Sequence, residues 1–190
     1  MIPNIVLLDL NPEMTEAWSR IFCEDENIEI VNSELKAFLK NNKDIDGVVS
    51  PANSFGLMDG GYDKAITEYF GPSLYDSVQN AILDVYYGEQ PVGTCIKVDI
   101  PGSNICLLHS PSMRTPEHII DPRVIYSCMR CTLVVAAKEG LKKIVVPAFG
   151  GLTGAVPPRI IAYLMKQAYE DVVERTQTKY LNTWENIRVL

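Results

Sequence analysis

Residues 47–66 read GVVSPANSFGLMDGGYDKAI, and this stretch decides the predicted fold. It opens with a short apolar run that is typical of a buried strand, and it ends in a pattern that is typical of a helix. Between them lie an Asn, a pair of glycines and two aspartates. A strand that leads through a loop of small and polar residues into a helix predicts one unit of an α/β fold.

The same strand-to-helix unit repeats along the chain. After the apolar run Ile5–Leu8, Asn11 is placed as an N-cap and Pro12 as the first helical residue. The other predicted strands are Ile28–Val31, Gly47–Ser50, Ile105–Leu108 and Ile144–Val146. The later predicted helices are Ser33–Lys40, Pro72–Tyr87, Arg123–Glu139 and Arg159–Arg175.

One segment has a different period. From Thr94 to Ile100 apolar and polar side chains alternate, which indicates a half-exposed, antiparallel strand. The pattern as a whole predicts a three-layer α/β/α sandwich with a mixed, mostly parallel central sheet, built by residues 1–190 as one domain. The segment from Gln177 onward fits either a final strand or a tail that binds a partner.

Composition excludes several classes of protein. The 190 residues are 47% hydrophobic and 22% charged, as in ordinary globular domains. A net charge of −7, with no run of Lys or Arg, argues against a nucleic-acid partner. No apolar stretch approaches the roughly 20 residues that span a bilayer, and no signal peptide is recognisable, so we expect no membrane association and a cytoplasmic location.

The five cysteines are scattered, which favours reduced thiols in the core over disulfides. Cys128 and Cys131 have the C-x-x-C spacing but lie in an apolar helical pattern without a second pair. We therefore expect neither a metal site nor a cofactor.

Three strand exits have unusual loops. SPANSFGLMDGGYD follows Val49, HSPSMR follows Leu108, and PAFGGLTGAVPP follows Val146. Two of these loops are rich in glycine and lead into helices, so their amide groups and a helix N-terminus could together hold a diphosphate without Lys or Arg. Taken alone, Gly150–Gly154 fits a tight turn without a ligand equally well.

GVVSPANSFGLMDGGYDKAI and VVPAFGGLTGAVPP resemble the two ligand-facing loops of macrodomains, which are α/β modules that bind ADP-ribose. The resemblance extends from about Ile28 to Arg175. The segments SPANSFGLMDGG and SPSMRTP most resemble a divergent group of macrodomains that is found in bacteria and phages. It implies that Asn53 faces the distal ribose and that Gly60 and Gly61 lie against that ribose and the phosphates. Asp63, ten residues after Asn53, matches the Asp that orients or deprotonates a water in hydrolytic members.

The resemblance assigns further residues. Glu34 is placed as the adenine-binding carboxylate, with Asp9 as its competitor. Asp59 adds a carboxylate that serves as a second base or repels a phosphate at the distal end. The ligand-binding set is completed by Tyr62, Ser110 and Phe149 as pocket walls and by the second loop as a backbone cradle, comprising Gly150, Gly151, Leu152, Thr153, Gly154 and Ala155.

Three departures from the family pattern are visible. Ser50 and Pro51 stand where an Asn is usual, Asp59 takes the first place of the usual three-glycine run, and the second loop aligns only with a one-residue shift. The predicted function is binding of ADP-ribose and hydrolysis of an ADP-ribosyl ester or a related NAD-derived metabolite. The alternatives are a module that only binds ADP-ribosyl groups and an ADP-ribose 1''-phosphatase. Asp63 could instead only stabilise its helix, Asn53 could only hold its loop, and Tyr62 and Phe149 could only pack.

Overall fold

The computed structural model describes residues 1–178, so the segment after Thr178, expected to be a strand or a tail, lies outside the described residues. The strands are β1 (Asn4–Asp9), β2 (Ile28–Asn32), β3 (Gly47–Ser50), β4 (Ile96–Asp99), β5 (Cys106–His109) and β6 (Lys143–Val146). The helices are α1 (Pro12–Ile21), α2 (Leu35–Asn41), α3 (Gly61–Phe70), α4 (Ser73–Tyr86), α5 (Arg123–Lys138) and α6 (Pro158–Thr178).

These strands form one sheet in the order β2-β1-β6-β3-β5-β4. Every neighbouring pair is parallel except β4 and β5, which are antiparallel. The mixed, mostly parallel sheet and the antiparallel strand near Thr94–Ile100 are therefore confirmed. The carboxyl ends of the five parallel strands lie at one edge of the sheet.

Helices cover both faces of the sheet. Alternate side chains of β1 enter different cores: Ile5 and Leu7 pack with α1, α5 and α6, whereas Val6 and Leu8 pack with α2, α3 and α4. A strand that is buried on both faces reads as a continuous apolar run, as β1 does. The three-layer arrangement is confirmed.

Local signals in the sequence explain where helices begin and end. The Asn11 side chain accepts a hydrogen bond from the Glu13 amide, and Pro12 opens α1, as expected. Helices α3 and α4 are separated by Gly71, whose φ of 98° is left-handed, and by Pro72, which cannot continue a helix.

The order of the strands places a crevice at the centre of the sheet. β6 and β3 are neighbours, yet α6 packs on one face and α3 on the other. Where the connections of adjacent parallel strands diverge to opposite faces, a space opens beyond their carboxyl ends. Both glycine-rich loops leave the sheet at this point.

Candidate functional site

A cavity of about 750 Å³ lies at the carboxyl ends of the parallel strands, between the loops after β3 and β6. This volume lies within the range of small-molecule sites in proteins. The predicted site residues that line it are Asp9, Glu34, Asn53, Asp59, Gly60, Gly61, Tyr62, Asp63, Gly150, Gly151, Leu152, Thr153 and Gly154. A smaller hollow of about 250 Å³, near Asp46 and Lys97, contains none of these residues.

Asp63 is a buried carboxylate in the first turn of α3, and 8% of its surface is exposed. The hydroxyl of Ser50, the last residue of β3, donates a hydrogen bond of 2.7 Å to its Oδ1. Burial raises the pKa of Asp63 to about 6, the hydrogen bond from Ser50 opposes that rise, and the charge of Asp59 adds to it. This carboxyl therefore exchanges its proton near neutrality.

Tyr62 precedes Asp63 and has a hydroxyl group that is shielded from solvent and makes no hydrogen bond within residues 1–178. Burial and the nearby carboxylates of Asp9 and Asp63 raise the pKa of this phenol above its usual range. The hydroxyl stays protonated at neutral pH. Its ring packs with the core around α2, α3 and α4 while the residue also lines the cavity.

Asn53 holds the first glycine-rich loop together. Its Oδ1 accepts hydrogen bonds from the amides of Phe55 and Leu57, at 3.0 and 3.3 Å, and its Nδ2 donates to the Leu57 carbonyl at 3.0 Å. The amide group of Asn53 is therefore engaged by its own loop although the residue lines the cavity. Asp59, further along the loop, is exposed at the cavity wall.

The second glycine-rich loop presents backbone amides. In the part of the chain that the structure describes, the amides of Gly151, Leu152, Thr153 and Gly154 donate no hydrogen bond to the protein. The loop is held by its other groups: the Ala155 amide donates to Leu152, and the Val156 amide donates to the carbonyl of Gly150. Unpaired amides in a glycine-rich loop are available as donors to an anion.

The connection between β5 and α5 supports this loop. The Ile119 amide donates a hydrogen bond of 3.0 Å to the Gly154 carbonyl. A Cβ on Gly154 would lie 2.7 Å from the Gly150 carbonyl oxygen and 2.7 Å from Ile119 Cδ1. A side chain at Gly154 would therefore displace backbone. Gly150 has a left-handed φ of 73° and is equally confined by Ile119.

The two competitors for an adenine-binding carboxylate differ in their partners. The Asp9 side chain accepts a hydrogen bond of 2.8 Å from the Asn11 amide. Burial raises its pKa, and the nearby backbone amides of Asn11, Ala148 and Leu10 oppose that rise. Glu34 is exposed at the start of α2, and its side chain does not cap the helix. Glu34 is the more available acceptor.

The charges around the cavity are mostly negative. Lys36, at the start of α2, is the positively charged side chain that lines it. The carboxylates that line it are those of Asp9, Glu34, Asp59, Asp63 and Glu68. An anionic ligand in this cavity must therefore be stabilised largely by neutral backbone donors.

Three predicted ligand residues do not line the cavity. Ser110 is fully buried and donates a hydrogen bond to the Thr94 carbonyl, because residues 110–112 continue the pairing of β5 with the chain after β3. Phe149 is fully buried in the core against α1, α5 and α6, so of the two roles considered for it the structure gives packing. Ala155 is exposed in a left-handed conformation, with a φ of 53°, just beyond the cavity.

Sequence reasoning missed other residues of the wall. Ser112 and Met113 line the cavity in place of Ser110, since the chain leaves the sheet edge only there. Ser50 was noted as a departure from the family pattern, and its bond to Asp63 was not foreseen. The alternation of polar residues in HSPSMR could have suggested Ser112.

His109 and two cysteines are titratable groups that lie outside the cavity. His109 is buried with Nδ1 2.7 Å from the side-chain oxygen of Gln90, and burial lowers its pKa to about 3. Burial raises the pKa of the Cys128 thiol to about 12. It also raises the pKa of the Cys131 thiol. Among residues 1–178, no group of three or more metal-ligating side chains comes together. In the same range, no helix has the length and apolar character needed to cross a membrane.

Comparison with known proteins agrees with this architecture. An uncharacterized protein of Aquifex aeolicus (strain VF5) is 31% identical over 123 residues, which cover 64% of this chain and 71% of that protein. A solved macrodomain of Oceanobacillus iheyensis with MES bound has a TM-score of 0.61 at 20% identity, with 75% of each chain covered.

A macrodomain of Trypanosoma brucei in complex with ADP-ribose has a TM-score of 0.56 at 19% identity. That match covers 88% of this chain and 58% of the other. At such identities the two solved structures show the fold alone. The Macro domain profile matches residues 49–165, which is more than half of the chain and includes both glycine-rich loops. The chain therefore belongs to the Macro domain family.

Proposed function

We propose that this protein binds ADP-ribose in the 750 Å³ cavity and hydrolyses an ADP-ribosyl ester, or a related NAD-derived metabolite, with Asp63 as the base. The observation that carries the proposal is the position of Asp63. A buried carboxylate with a pKa of about 6 lines the same cavity as a loop with unpaired amides. A general base acts best when its pKa is close to the working pH.

Binding is supported by the match between the cavity and a diphosphate. The amides of the second loop, from Gly151 to Gly154, point to an anion, and the first turn of α3 adds the positive end of a helix dipole. Glu34 is an exposed carboxylate that can accept a hydrogen bond from an adenine amino group. The Trypanosoma brucei macrodomain was solved in complex with ADP-ribose.

The proposed chemistry needs one carboxylate and one water. Asp63 accepts a proton from the water as its oxygen bonds to the carbon of the ester linkage. The ester bond then breaks, ADP-ribose and the carboxylate of the former ester leave, and Asp63 returns its proton to solvent. At pH 7 a carboxyl with a pKa of about 6 is ionised in about nine-tenths of the molecules, so the base is in its working form.

The test separates binding from reaction in one variant. Asp63→Asn keeps the shape of the side chain and removes the base. We expect calorimetric titration to give an affinity for ADP-ribose within about threefold of the wild type, and release of ADP-ribose from an ester-modified protein to fall about 10²- to 10⁴-fold. Asp76→Asn removes an exposed Asp from the first turn of α4 and is the matched control. It should retain both properties.

Other outcomes select other functions. If the wild type binds ADP-ribose but releases nothing from any ester substrate, the protein is a module that reads or sequesters ADP-ribosyl groups. Release of inorganic phosphate from ADP-ribose 1''-phosphate would indicate a phosphatase. The carboxylates of Asp59 and Glu68 beside Asp63 disfavour that option, because they repel an additional phosphate. No measurable binding of ADP-ribose would refute the proposal altogether.

A further inference from the structure

We propose that Ser50 is a positioning residue for Asp63, which fixes one carboxylate oxygen and keeps the group ionised for catalysis; this inference rests on the proposed function. Ser50 is the last residue of β3 and is fully buried. Its hydroxyl lies 2.7 Å from Asp63 Oδ1, across thirteen positions of sequence. The bond therefore joins the end of the central sheet to the start of α3.

The geometry assigns different tasks to the two oxygens of Asp63. Oδ1 accepts the hydrogen bond from Ser50, while Oδ2 accepts none within the described range 1–178. Because Asp63 also lines the cavity, Oδ2 is the oxygen available to a substrate water. A hydroxyl held by a strand end is a rigid donor, so it restricts rotation of the carboxylate about its last bond.

The same bond acts on the protonation of Asp63. Burial and the charge of Asp59 both favour the neutral acid, and the Ser50 hydroxyl opposes them. The other charged or titratable groups around it are Tyr62, Lys64 and Glu68 on α3, Asp9 at the end of β1, and Glu34 and Lys36 at α2. Lys64 is exposed and pairs with Glu68 at 3.9 Å. The buried group that donates a hydrogen bond to the Asp63 carboxylate is the hydroxyl of Ser50.

Removal of the hydroxyl should show in a pH profile. We expect Ser50→Ala to move the acid limb of kcat/KM upward by about one to two pH units, which is the size of a charge-assisted hydrogen bond. At pH 7 the rate should then fall about two- to tenfold, and at pH 9 it should return to near the wild-type rate. Ser50→Thr keeps a hydroxyl and should restore the wild-type profile. Asp63→Asn serves as the blank at each pH.

Ser110→Ala is the matched control. It also deletes a buried serine hydroxyl, 3.0 Å from a carbonyl, on the neighbouring strand exit, but Ser110 does not line the cavity. Its pH profile should coincide with that of the wild type. If Ser50→Ala lowers the rate equally at every pH, or if Ser110→Ala moves the acid limb as far, Ser50 does not keep Asp63 ionised and the inference is refuted.

A second measurement needs no substrate, so it distinguishes failure of this inference from failure of the proposed function. NMR titration of the Asp63 carboxyl carbon should give an apparent pKa one to two units higher in Ser50→Ala than in the wild type. An unchanged titration would overturn the inference even if the enzyme is active. A shifted titration without any esterase activity would refute the hydrolytic function and leave the electrostatic role of Ser50 standing.

Discussion

The first glycine-rich loop is held by a side chain, whereas the second is held by backbone contacts with its neighbours. In the first, Asn53 bonds the amides of Phe55 and Leu57 and the Leu57 carbonyl. In the second, carbonyl groups of Gly150 and Gly154 accept hydrogen bonds from Val156 and Ile119.

The glycines of the two loops serve different ends. A Cβ on Gly60, in the first loop, would meet nothing within 4 Å, so this glycine leaves open space at the cavity wall. A Cβ on Gly154 would meet the Gly150 backbone at 2.7 Å, so that glycine is required by the fold of its own loop. The first loop is stabilised by the side chain of Asn53 and leads to the carboxylate of Asp63. The second loop leaves backbone amides unpaired in the described chain, so that they can bind a ligand.

The largest expected effect concerns the carboxylate of Asp63, in the first turn of the helix that follows the first loop. The folded-state pKa of Asp63, about 6, lies above its ordinary value, so the folded protein holds this proton more tightly than the unfolded chain does. Stability from this group is therefore complete below pH 4 and is lost as the pH rises to about 6. Two pKa units correspond to about 3 kcal/mol of the free energy of unfolding at pH 7.

Asp63→Asn removes the cost in stability of holding an ionised carboxylate in a buried position. We expect urea unfolding at pH 7 to show a gain in stability of up to about 3 kcal/mol, and no gain at pH 4. Asp76→Asn, in the exposed first turn of α4, should show neither the gain nor its pH dependence. A loss of stability at pH 7 in Asp63→Asn would mean that the carboxylate stabilises the fold, and the contrast between the loops would lose its basis.

An intermediate effect is expected in the second loop. Gly154→Ala places a methyl group against the Gly150 backbone, and we expect it to lower the free energy of unfolding by about 1 to 3 kcal/mol. The displaced amides should also weaken ADP-ribose binding about tenfold or more by calorimetry. Gly60→Ala adds the same methyl group in open space and should leave stability within about 0.5 kcal/mol. Equal losses in both variants would contradict the distinction between the glycines.

The smallest expected effect concerns Tyr62, which lines the cavity beside the first loop. The Tyr62 hydroxyl is buried without a hydrogen bond in the described chain, and such a group is destabilising. We expect Tyr62→Phe to leave stability unchanged or to raise it by up to about 1 kcal/mol, measured by urea unfolding of the ligand-free protein. A clear destabilisation would show that the hydroxyl has a partner in solution.

The sequence predicted the sheet well because apolar runs and caps are local signals. Buried strands such as β1 and capped helices such as α1 need no knowledge of distant residues. The glycine loops were also recognisable, since small residues at a strand exit have few other uses. A shared location for these loops was also predictable, because the carboxyl ends of parallel strands lie at the same edge of a sheet.

The remaining features depend on contacts between distant segments. Ser110 was expected at the cavity, but the pairing continues as far as Ser112, four residues beyond the predicted strand end at Leu108, and Ser112 takes that place. Phe149 follows a strand, so the alternation of side chains along that strand does not determine which way its ring points. The direction of the ring is set by packing against α5 and α6. The bond between Ser50 and Asp63 joins two elements whose distance no local pattern encodes.

The buried carboxylate of Asp63 also sets how such a site would evolve. If the protein only bound its ligand, the exchange of Asp63 for Asn would raise its stability at no cost to function. On the proposed function, selection for the reaction keeps the acid. The single substitution Asp63→Asn would convert the proposed enzyme into a more stable protein that only binds its ligand. Proteins of either kind could therefore arise from this fold without any change in the backbone.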